Sequence, residues 1–133
     1  MKTVFADTSF YIAFVNPCDS VHKAATDFVR HFRGSSLTTE YVLVEVGNWL
    51  ARSGDRTVFL DLLRDLRADP NTTILPACPG LFEAGLGLYA RRPDKGWSMT
   101  DCISFAVMKK HRVQEALTAD HHFEQAGFKA LLK

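Results

Sequence analysis

The amino-acid sequence predicts an α/β fold in which a parallel sheet is covered by helices on both faces, organised as one domain over residues 1–133. Short apolar runs alternate along the chain with longer segments whose apolar residues recur at helical spacing. Only brief turn signals such as Asn16-Pro17 separate these segments, and no repeat or long linker interrupts them. With 47% hydrophobic residues, a chain of this length is able to bury a continuous core.

The first predicted elements are a buried strand and an amphipathic helix. Thr3–Ala6 is expected to be buried on both sides, because its apolar residues are consecutive rather than alternating. Asp7 stands at the end of this strand. Asp19 or Ser20 is positioned to cap the helix that follows. The inner face of that helix is predicted from six apolar residues at helical spacing, which are Val21, Ala24, Ala25, Phe28, Val29 and Phe32.

A second strand and a third helical segment follow. Ser35–Thr38 is predicted as a short strand, and Thr39 as the cap of a helix that extends to about Arg52. The apolar residues expected on the inner face of this helix are Val42, Val46, Trp49 and Leu50.

The second half of the chain repeats the alternation. Helices are predicted over Asp55–Arg67, from Pro79 to Arg91 and from Ser98 to about Lys110. Strands are predicted over Thr72–Leu75, over Glu115–Ala119 and, at the sheet edge, over Phe128–Leu132.

Charge and cysteine content limit the classes of function. Sixteen basic and fifteen acidic residues nearly cancel, so any nucleic-acid site must be a local patch. Three cysteines without CxxC spacing argue against a disulfide framework and a zinc site, and we expect reduced thiols in the cytoplasm, with Cys102 packed in the core. Asp7 interrupts the N-terminus before a signal peptide's apolar region, and no stretch approaches membrane-spanning length.

Four acidic residues are candidates for one site. Asp7 and Asp120 directly follow predicted strands, and ligands of parallel sheets bind at the carboxyl ends of strands. Glu45 borders the apolar stripe of its helix rather than the solvated face. Asp101 has apolar residues at i+4 and i+7, which directs it toward the core side of its helix.

The four carboxylates together indicate a divalent cation. Two like charges about 4 Å apart repel by roughly 4 kcal/mol at a surface-like effective dielectric, and a divalent cation removes this penalty. Oxygen ligands without histidine or cysteine suit Mg²⁺ or Mn²⁺, and Mg²⁺ typically shares its coordination with phosphate oxygens of a substrate. The acids therefore favour phosphodiester substrates.

Each acid also has a simpler interpretation. Asp7 could cap the apolar segment Ser9–Val15, Asp120 could be a turn residue, and Asp101 could complete a capping box with Ser98. Glu45 could pair with a nearby arginine. Two other chemistries have weaker support. His121-His122 could form a transition-metal site, although adjacent residues rarely direct both side chains to one ion. Asp7 could be the nucleophile of an aspartyl-phosphate phosphatase, but the second acid expected two residues later is missing.

The order and spacing of the motifs resemble those of a PIN domain. The motifs are Asp7-Thr8-Ser9 before an apolar stretch, Glu45 within a helix, Ser98-Met99-Thr100-Asp101-Cys102, and Leu117-Thr118-Ala119-Asp120-His121-His122-Phe123. The resemblance spans essentially the whole chain, and the length is similar to that of the VapC toxins of bacterial and archaeal toxin–antitoxin pairs.

This resemblance implies a three-layer fold with four or five parallel strands in the order 3-2-1-4-5. It implies Mg²⁺ or Mn²⁺ ligation by Asp7, Glu45 and Asp101, with Asp120 as a more variable fourth acid. The residues that match supporting positions are Thr8, Ser9, Thr118 and, as an additional acid, Asp94.

The implied activity is endonucleolytic RNA hydrolysis that leaves 5′-phosphate and 3′-hydroxyl ends. The basic residues near the relevant helix ends, as candidates for RNA contact, are Arg52, Arg56, Arg91, Arg92 and Lys95. A toxin also implies an antitoxin segment that obstructs the acidic site, and a homodimer. The apolar residues considered for such surfaces, besides their commoner place in a core, are Tyr11, Phe14 and Trp97. The alternatives are an inactive PIN-like module that binds RNA or protein, and a stand-alone RNA-processing nuclease.

Overall fold

A computed structural model describes residues 2–133 and contains a five-stranded parallel sheet in the order β3-β2-β1-β4-β5. The order agrees with the one that the resemblance implied. The strands are β1 (Thr3–Ala6), β2 (Ser35–Thr39), β3 (Thr72–Leu75), β4 (Glu115–Leu117) and β5 (Lys129–Ala130).

Helices connect these strands, as parallel pairing requires a crossover between successive strands. They are α1 (Thr8–Val15), α2 (His22–His31), α3 (Glu40–Arg52), α4 (Arg56–Ala68), α5 (Pro79–Arg91), α6 (Met99–Lys110) and α7 (His121–Gln125). Within the described part of the chain, no helix has the length and apolar character needed to cross a membrane.

The register of the central strands sets the position of the site. In β1, Phe5 is level with Leu37 of β2 and with Ala116 of β4, and Ala6 is level with Leu117. The carboxyl ends of β1 and β4 therefore lie side by side. The residues that follow them, Asp7 and Thr118, meet at this edge of the sheet.

The core is built around the central strand and α6. Val4, Phe5 and Ala6 are fully buried, as consecutive apolar residues in a central parallel strand should be. The ring of Phe105 on α6 packs edge-to-face against Phe123, with 4.9 Å between the ring centroids. Cys102 is fully buried, as predicted, and burial raises the pKa of its thiol.

Helices α5 and α6 approach closely at Gly85. A Cβ atom at this position would lie 2.3 Å from Cγ1 of Ile103, well inside contact distance. Gly85 is thus required for the packing of these two helices, since a larger residue would force them apart.

The predicted inner face of α3 was wrong at Trp49, whose side chain is 53% exposed. The buried residues of α3 are Val42, Leu43, Val46 and Leu50. Leu43 and Trp49 flank Val46 on opposite sides of the helix, and the core covers only the Leu43 flank. The Trp49 flank also carries Glu45 and borders an open cleft.

The predicted face of α2 was wrong at Ala24 and Val29, which are exposed. The helix also starts later than expected, at His22. Asp19 forms no helix cap there, because its carboxylate accepts a hydrogen bond from the Val21 amide within the preceding turn, at 2.8 Å. The packing of the short α1 against α2 buries Ala25 but leaves the outer residues in solvent.

Tyr11 and Trp97, two of the candidates for partner surfaces, belong to the core. Tyr11 is 2% exposed and Trp97 is 6% exposed, because α1 and the Trp97 segment pack against the hydrophobic cluster. Phe14 is partly buried against the same cluster. The last two strands are shorter than predicted: β4 ends at Leu117, and β5 comprises Lys129 and Ala130.

Candidate active site

The four predicted acids line one open cleft of about 720 Å³. Asp7 follows β1, Glu45 lies in α3, Asp101 lies in the first turn of α6, and Asp120 immediately precedes α7. The cleft therefore lies beside the carboxyl ends of β1 and β4, as the predicted strands indicated.

Asp7 is buried and held by two hydroxyl groups. Its side chain is 6% exposed, and its Oδ2 accepts hydrogen bonds from Thr118 Oγ1 at 2.9 Å and Ser9 Oγ at 3.1 Å. Burial raises the pKa of this carboxyl to about 6, opposed by the Thr118 hydrogen bond and assisted by the charge of Asp101. Asp7 precedes α1, but its side chain makes no capping hydrogen bond, so capping does not explain it.

Glu45 is oriented by a hydroxyl group of the residue that follows Asp7. Thr8 Oγ1 donates a hydrogen bond of 2.6 Å to Glu45 Oε1. Over residues 2–133, no lysine or arginine nitrogen lies within 4.0 Å of the Glu45 carboxylate. The alternative of a simple arginine pair is therefore not what the structure has.

Asp101 and Asp120 each have a capping role as well as a place in the cleft. The Ser98 amide donates to Asp101 Oδ2 at 3.1 Å, and the Asp101 amide donates to Ser98 Oγ at 3.0 Å, which completes the capping box. Asp120 Oδ1 accepts from the His122 amide at 2.9 Å, at the start of α7. Burial raises the pKa of Asp101, against the hydrogen bond from Ser98. The predicted capping box of Asp101 is present, and Asp120 caps α7 rather than serving only as a turn residue. These hydrogen bonds also fix the orientation of both carboxylates.

His122 also lines the cleft, whereas the sequence suggested for it only a transition-metal site shared with His121. Its Nδ1 lies 3.2 Å from Asp101 Oδ2 and 3.5 Å from Asp120 Oδ1. One ligand atom each from Asp120, His121 and His122 lie within 4.8 Å of one another, closer than we expected for adjacent histidines. The sequence feature that points to His122 is its position two residues after Asp120. The direction of the His122 side chain, however, is set by the short helix α7.

The predicted supporting residues divide into two groups. Thr8, Ser9 and Thr118 contact the acids directly, and Thr118 Oγ1 also accepts a hydrogen bond from the Asp120 amide at 3.0 Å. The structure does not bring Asp94 into the cleft. Its carboxylate instead accepts two hydrogen bonds of 3.0 Å from the guanidinium of Arg92, which lower the pKa of Asp94.

The predicted basic residues are dispersed. Of the five, only Arg52 lines the acidic cleft. Arg56 lines a groove between α3 and α4, and Arg91 and Arg92 line a different cleft beside α5 and α6. Lys95 Nζ lies 3.9 Å from the Asp94 carboxylate.

The residues of the cleft fit a divalent cation. The acids that line the cleft supply carboxylate oxygens, which are the hard ligands that Mg²⁺ and Mn²⁺ prefer. Among residues 2–133, the group whose potential ligand atoms already lie within 4.8 Å of one another is Asp120, His121 and His122. Burial raises the pKa of Asp7, and no lysine or arginine among residues 2–133 forms an ion pair with its carboxylate to oppose that shift. A cation at this position would offset the cost of ionising Asp7.

The chain is similar to known proteins over most of its length. The chain is 29% identical over 126 residues to the 23S rRNA-specific endonuclease VapC20 in two strains of Mycobacterium tuberculosis, covering 94% of this chain and 95% of the relative. The crystal structure of M. tuberculosis VapC20, described as a toxin that cleaves the sarcin–ricin loop, superposes with a TM-score of 0.86 at 27% identity, over 94% of this chain and 95% of that one.

A more distant structural relative shares the fold alone. It is a chain of a toxin–antitoxin complex from Klebsiella pneumoniae, with a TM-score of 0.59 and 17% identity over 89% of this chain and 87% of that one. The family model of the PIN domain matches residues 4–129. The chain belongs to the PIN domain family.

Proposed function

We propose that the protein is a metal-dependent endoribonuclease that hydrolyses RNA phosphodiester bonds to 5′-phosphate and 3′-hydroxyl ends. The observation that carries this proposal is the meeting of four carboxylates, far apart in sequence, in one open cleft. The endonuclease activity named for the VapC20 relatives supports the same reaction. We propose that residues 1–133 carry it as one domain and act in the cytoplasm.

Asp7, Glu45, Asp101 and Asp120 would hold Mg²⁺ or Mn²⁺. When bound, such an ion supplies positive charge for the departing oxygen and lowers the pKa of a coordinated water.

The protein's own contribution is to hold the acids in fixed directions. Thr118 and Ser9 donate to Asp7, and Thr8 donates to Glu45. The backbone amides of Ser98 and His122 donate to Asp101 and Asp120. Each carboxylate thus has a donor that fixes its orientation before substrate binds, and such groups around ligating residues are what hold a metal site in a productive geometry.

The role assignment is tested by neutral substitutions that keep side-chain shape. Asp7→Asn and Asp101→Asn should each reduce cleavage of a labelled RNA by a factor of at least about 100, since the substitutions remove proposed ligands. Asp94→Asn makes the same chemical change outside the cleft and should leave cleavage unaltered. Full activity in either of the first two variants would refute the assignment.

We further propose 23S ribosomal RNA as the first substrate to test, because the VapC20 relatives are named for it. Purified protein should cut the isolated RNA at one or a few positions in Mg²⁺. Cleavage scattered over unrelated RNAs with equal efficiency would contradict this choice of substrate, while leaving the nuclease activity in place.

We also propose that the protein is the toxin of a toxin–antitoxin pair and forms a homodimer. A partner surface is available in a groove of about 750 Å³ between α3 and α4, where Val44 and Leu60 are 60% and 62% exposed.

Two experiments test these partners. Co-expression with the product of an adjacent small gene should relieve growth arrest and yield a stable complex. Sedimentation of the protein alone should give twice the monomer mass. Absence of such a partner would favour a stand-alone nuclease.

A further inference from the structure

Trp49 is an exposed aromatic ring at the wall of the acidic cleft. It follows Glu45 by one helical turn on the same flank of α3, and both residues line the cleft. Its side chain is 53% exposed, whereas the other tryptophan, Trp97, is 6% exposed. Tryptophan has the largest apolar surface of any side chain, and half of that surface faces solvent here, beside the proposed catalytic acids.

Arg52 lies against this ring. Its guanidinium carbon is positioned over the indole, 5.8 Å from the ring centroid, at cation–π distance. Over residues 2–133, Arg52 is also the one lysine or arginine that lines the acidic cleft. A polyanion that enters a cleft lined by five acidic residues, the four proposed ligands and Asp19, needs a compensating charge close by, and the guanidinium is in the position to supply it.

The same two side chains border a second cleft. This neighbouring cleft, of about 710 Å³, shares Ile12, Trp49 and Arg52 with the acidic one. A chain-like ligand with one phosphodiester at the acids would therefore pass over the Trp49 ring as it leaves toward the second cleft.

We propose that Trp49 and Arg52 form a nucleotide platform, in which the indole stacks on an unpaired base next to the cleaved bond and the guanidinium pairs with a neighbouring phosphate. The proposal rests on the proposed RNA cleavage. Bases of a duplex already stack on each other, so the indole is able to take only a base whose face is free. The platform thus selects unpaired loops over duplex RNA.

Trp49 fluorescence gives a direct readout that does not depend on cleavage. Full-length Asp7→Asn protein with Mg²⁺ is expected to cleave RNA at least about 100 times more slowly, so binding can be followed before the RNA is cut. A short single-stranded oligonucleotide should quench the fluorescence of exposed Trp49 but not that of buried Trp97. The same sequence in a duplex should quench little. Adding Trp49→Phe should remove the quenching and leave the affinity, followed by anisotropy of labelled RNA, within about threefold, because an aromatic face remains.

Trp49→Leu keeps an apolar side chain but removes the aromatic face. It should weaken binding of the single strand by about 5- to 150-fold, the range expected for loss of one stacked base. An abasic site at the stacked nucleotide should cause a similar loss with unsubstituted Trp49 and little further loss with Leu, since both changes remove one contact. Melting temperatures close to that of the parent protein would show that the Leu variant is folded.

Several results would overturn the platform. They are RNA binding without a change in tryptophan fluorescence, equal affinity of the Leu variant, or preference for duplex RNA. If otherwise wild-type protein carrying Trp49→Leu also cleaves RNA normally, the platform is wrong while the nuclease proposal stands. If it cleaves normally but no longer binds a protein partner, Trp49 is a protein contact instead. If wild-type protein neither binds nor cleaves RNA, both proposals fail.

Discussion

Replacing Asp7 with asparagine should make the metal-free protein more stable at neutral pH, although it removes a proposed ligand. Burial raises the pKa of the Asp7 carboxyl from 3.8 to about 6, even though Thr118 donates a hydrogen bond to it. Asparagine has nearly the same shape and offers its oxygen to the Thr118 and Ser9 hydroxyls. Because it carries no charge, the folded state no longer bears the cost of a buried carboxylate.

The effect should depend on pH, because folded protein holds the Asp7 proton more tightly than unfolded protein. Below about pH 4 the carboxyl is protonated in both states, and the two proteins should differ little. Between about pH 4 and pH 6 the unfolded state loses the proton first, so wild-type stability falls as the pH rises. Above about pH 6 the loss is complete, and the interval from 3.8 to about 6 corresponds to about 3 kcal/mol.

Urea denaturation in EDTA, at about pH 4 and about pH 8, measures this difference. At the higher pH the Asn variant should be more stable by up to about 3 kcal/mol, or on the order of 10 °C in Tm. Mg²⁺ at about 100 times its Kd should stabilise the wild type by about 2.7 kcal/mol and the variant far less. Asp94→Asn, at an exposed acid whose pKa is lowered by Arg92, should not stabilise the protein at any pH.

Two outcomes would refute this reasoning. One is an Asn variant that is no more stable than the wild type near pH 8. The other is a gain in stability of equal size near pH 4, which would mean that the charge of Asp7 is not its source.

Two further predictions concern the packing of α5 against α6 and the pKa of Asp7. Gly85→Ala should destabilise the protein by about 1–3 kcal/mol in urea denaturation, because its Cβ would lie 2.3 Å from Ile103 Cγ1. Gly80→Ala should not, because a Cβ at Gly80 would have open space on the side away from its own helix; equal effects of the two substitutions would contradict the packing argument. Thr118→Val should raise the pKa of Asp7 further in the metal-free protein, because it removes a hydrogen bond that lowers this pKa. In EDTA, the loss of stability with rising pH should then extend to higher pH, whereas Thr118→Ser should not change it; an unchanged pH range in the Val variant would show that the hydrogen bond does not act on Asp7.

Much of the fold follows from local rules that the sequence displays. The edge strand Thr72–Leu75 and the helix Pro79–Arg91 have the predicted bounds, because turn residues and an N-terminal proline mark their ends. The Ser98 capping box likewise marks the start of α6. Sequence periodicity failed at Trp49, because a helical stripe wider than the covered face does not reveal which edge stays in solvent.

The acids of the site were predictable because the end of a strand and the face of a helix determine where a residue lies relative to the sheet. Asp7 and Asp120 follow strands, and the parallel register then places them at one edge of the sheet. The hydrogen bond from Thr8 to Glu45 and the contact of His122 with Asp101 were not predictable. They depend on how two elements distant in sequence pack, which periodicity does not encode.

The basic residues show the same limit. Arg56, Arg91 and Arg92 lie near helix ends, as does Arg52, yet only Arg52 lines the acidic cleft. The position of a residue in a helix sets the direction of its side chain relative to the helix axis. Which surface that side chain faces depends on how the neighbouring helices pack.

The measurement that tests the central claim most directly is metal add-back on one RNA. Protein stripped with EDTA is mixed with an end-labelled RNA that contains an unpaired loop, with or without Mg²⁺ or Mn²⁺, beside the Asp101→Asn variant. We predict cleavage only with the wild type and added metal, at a discrete position, with 5′-phosphate ends on the product. Equal cleavage in EDTA, or equal cleavage by the Asn variant, would contradict a metal-dependent nuclease built on these acids.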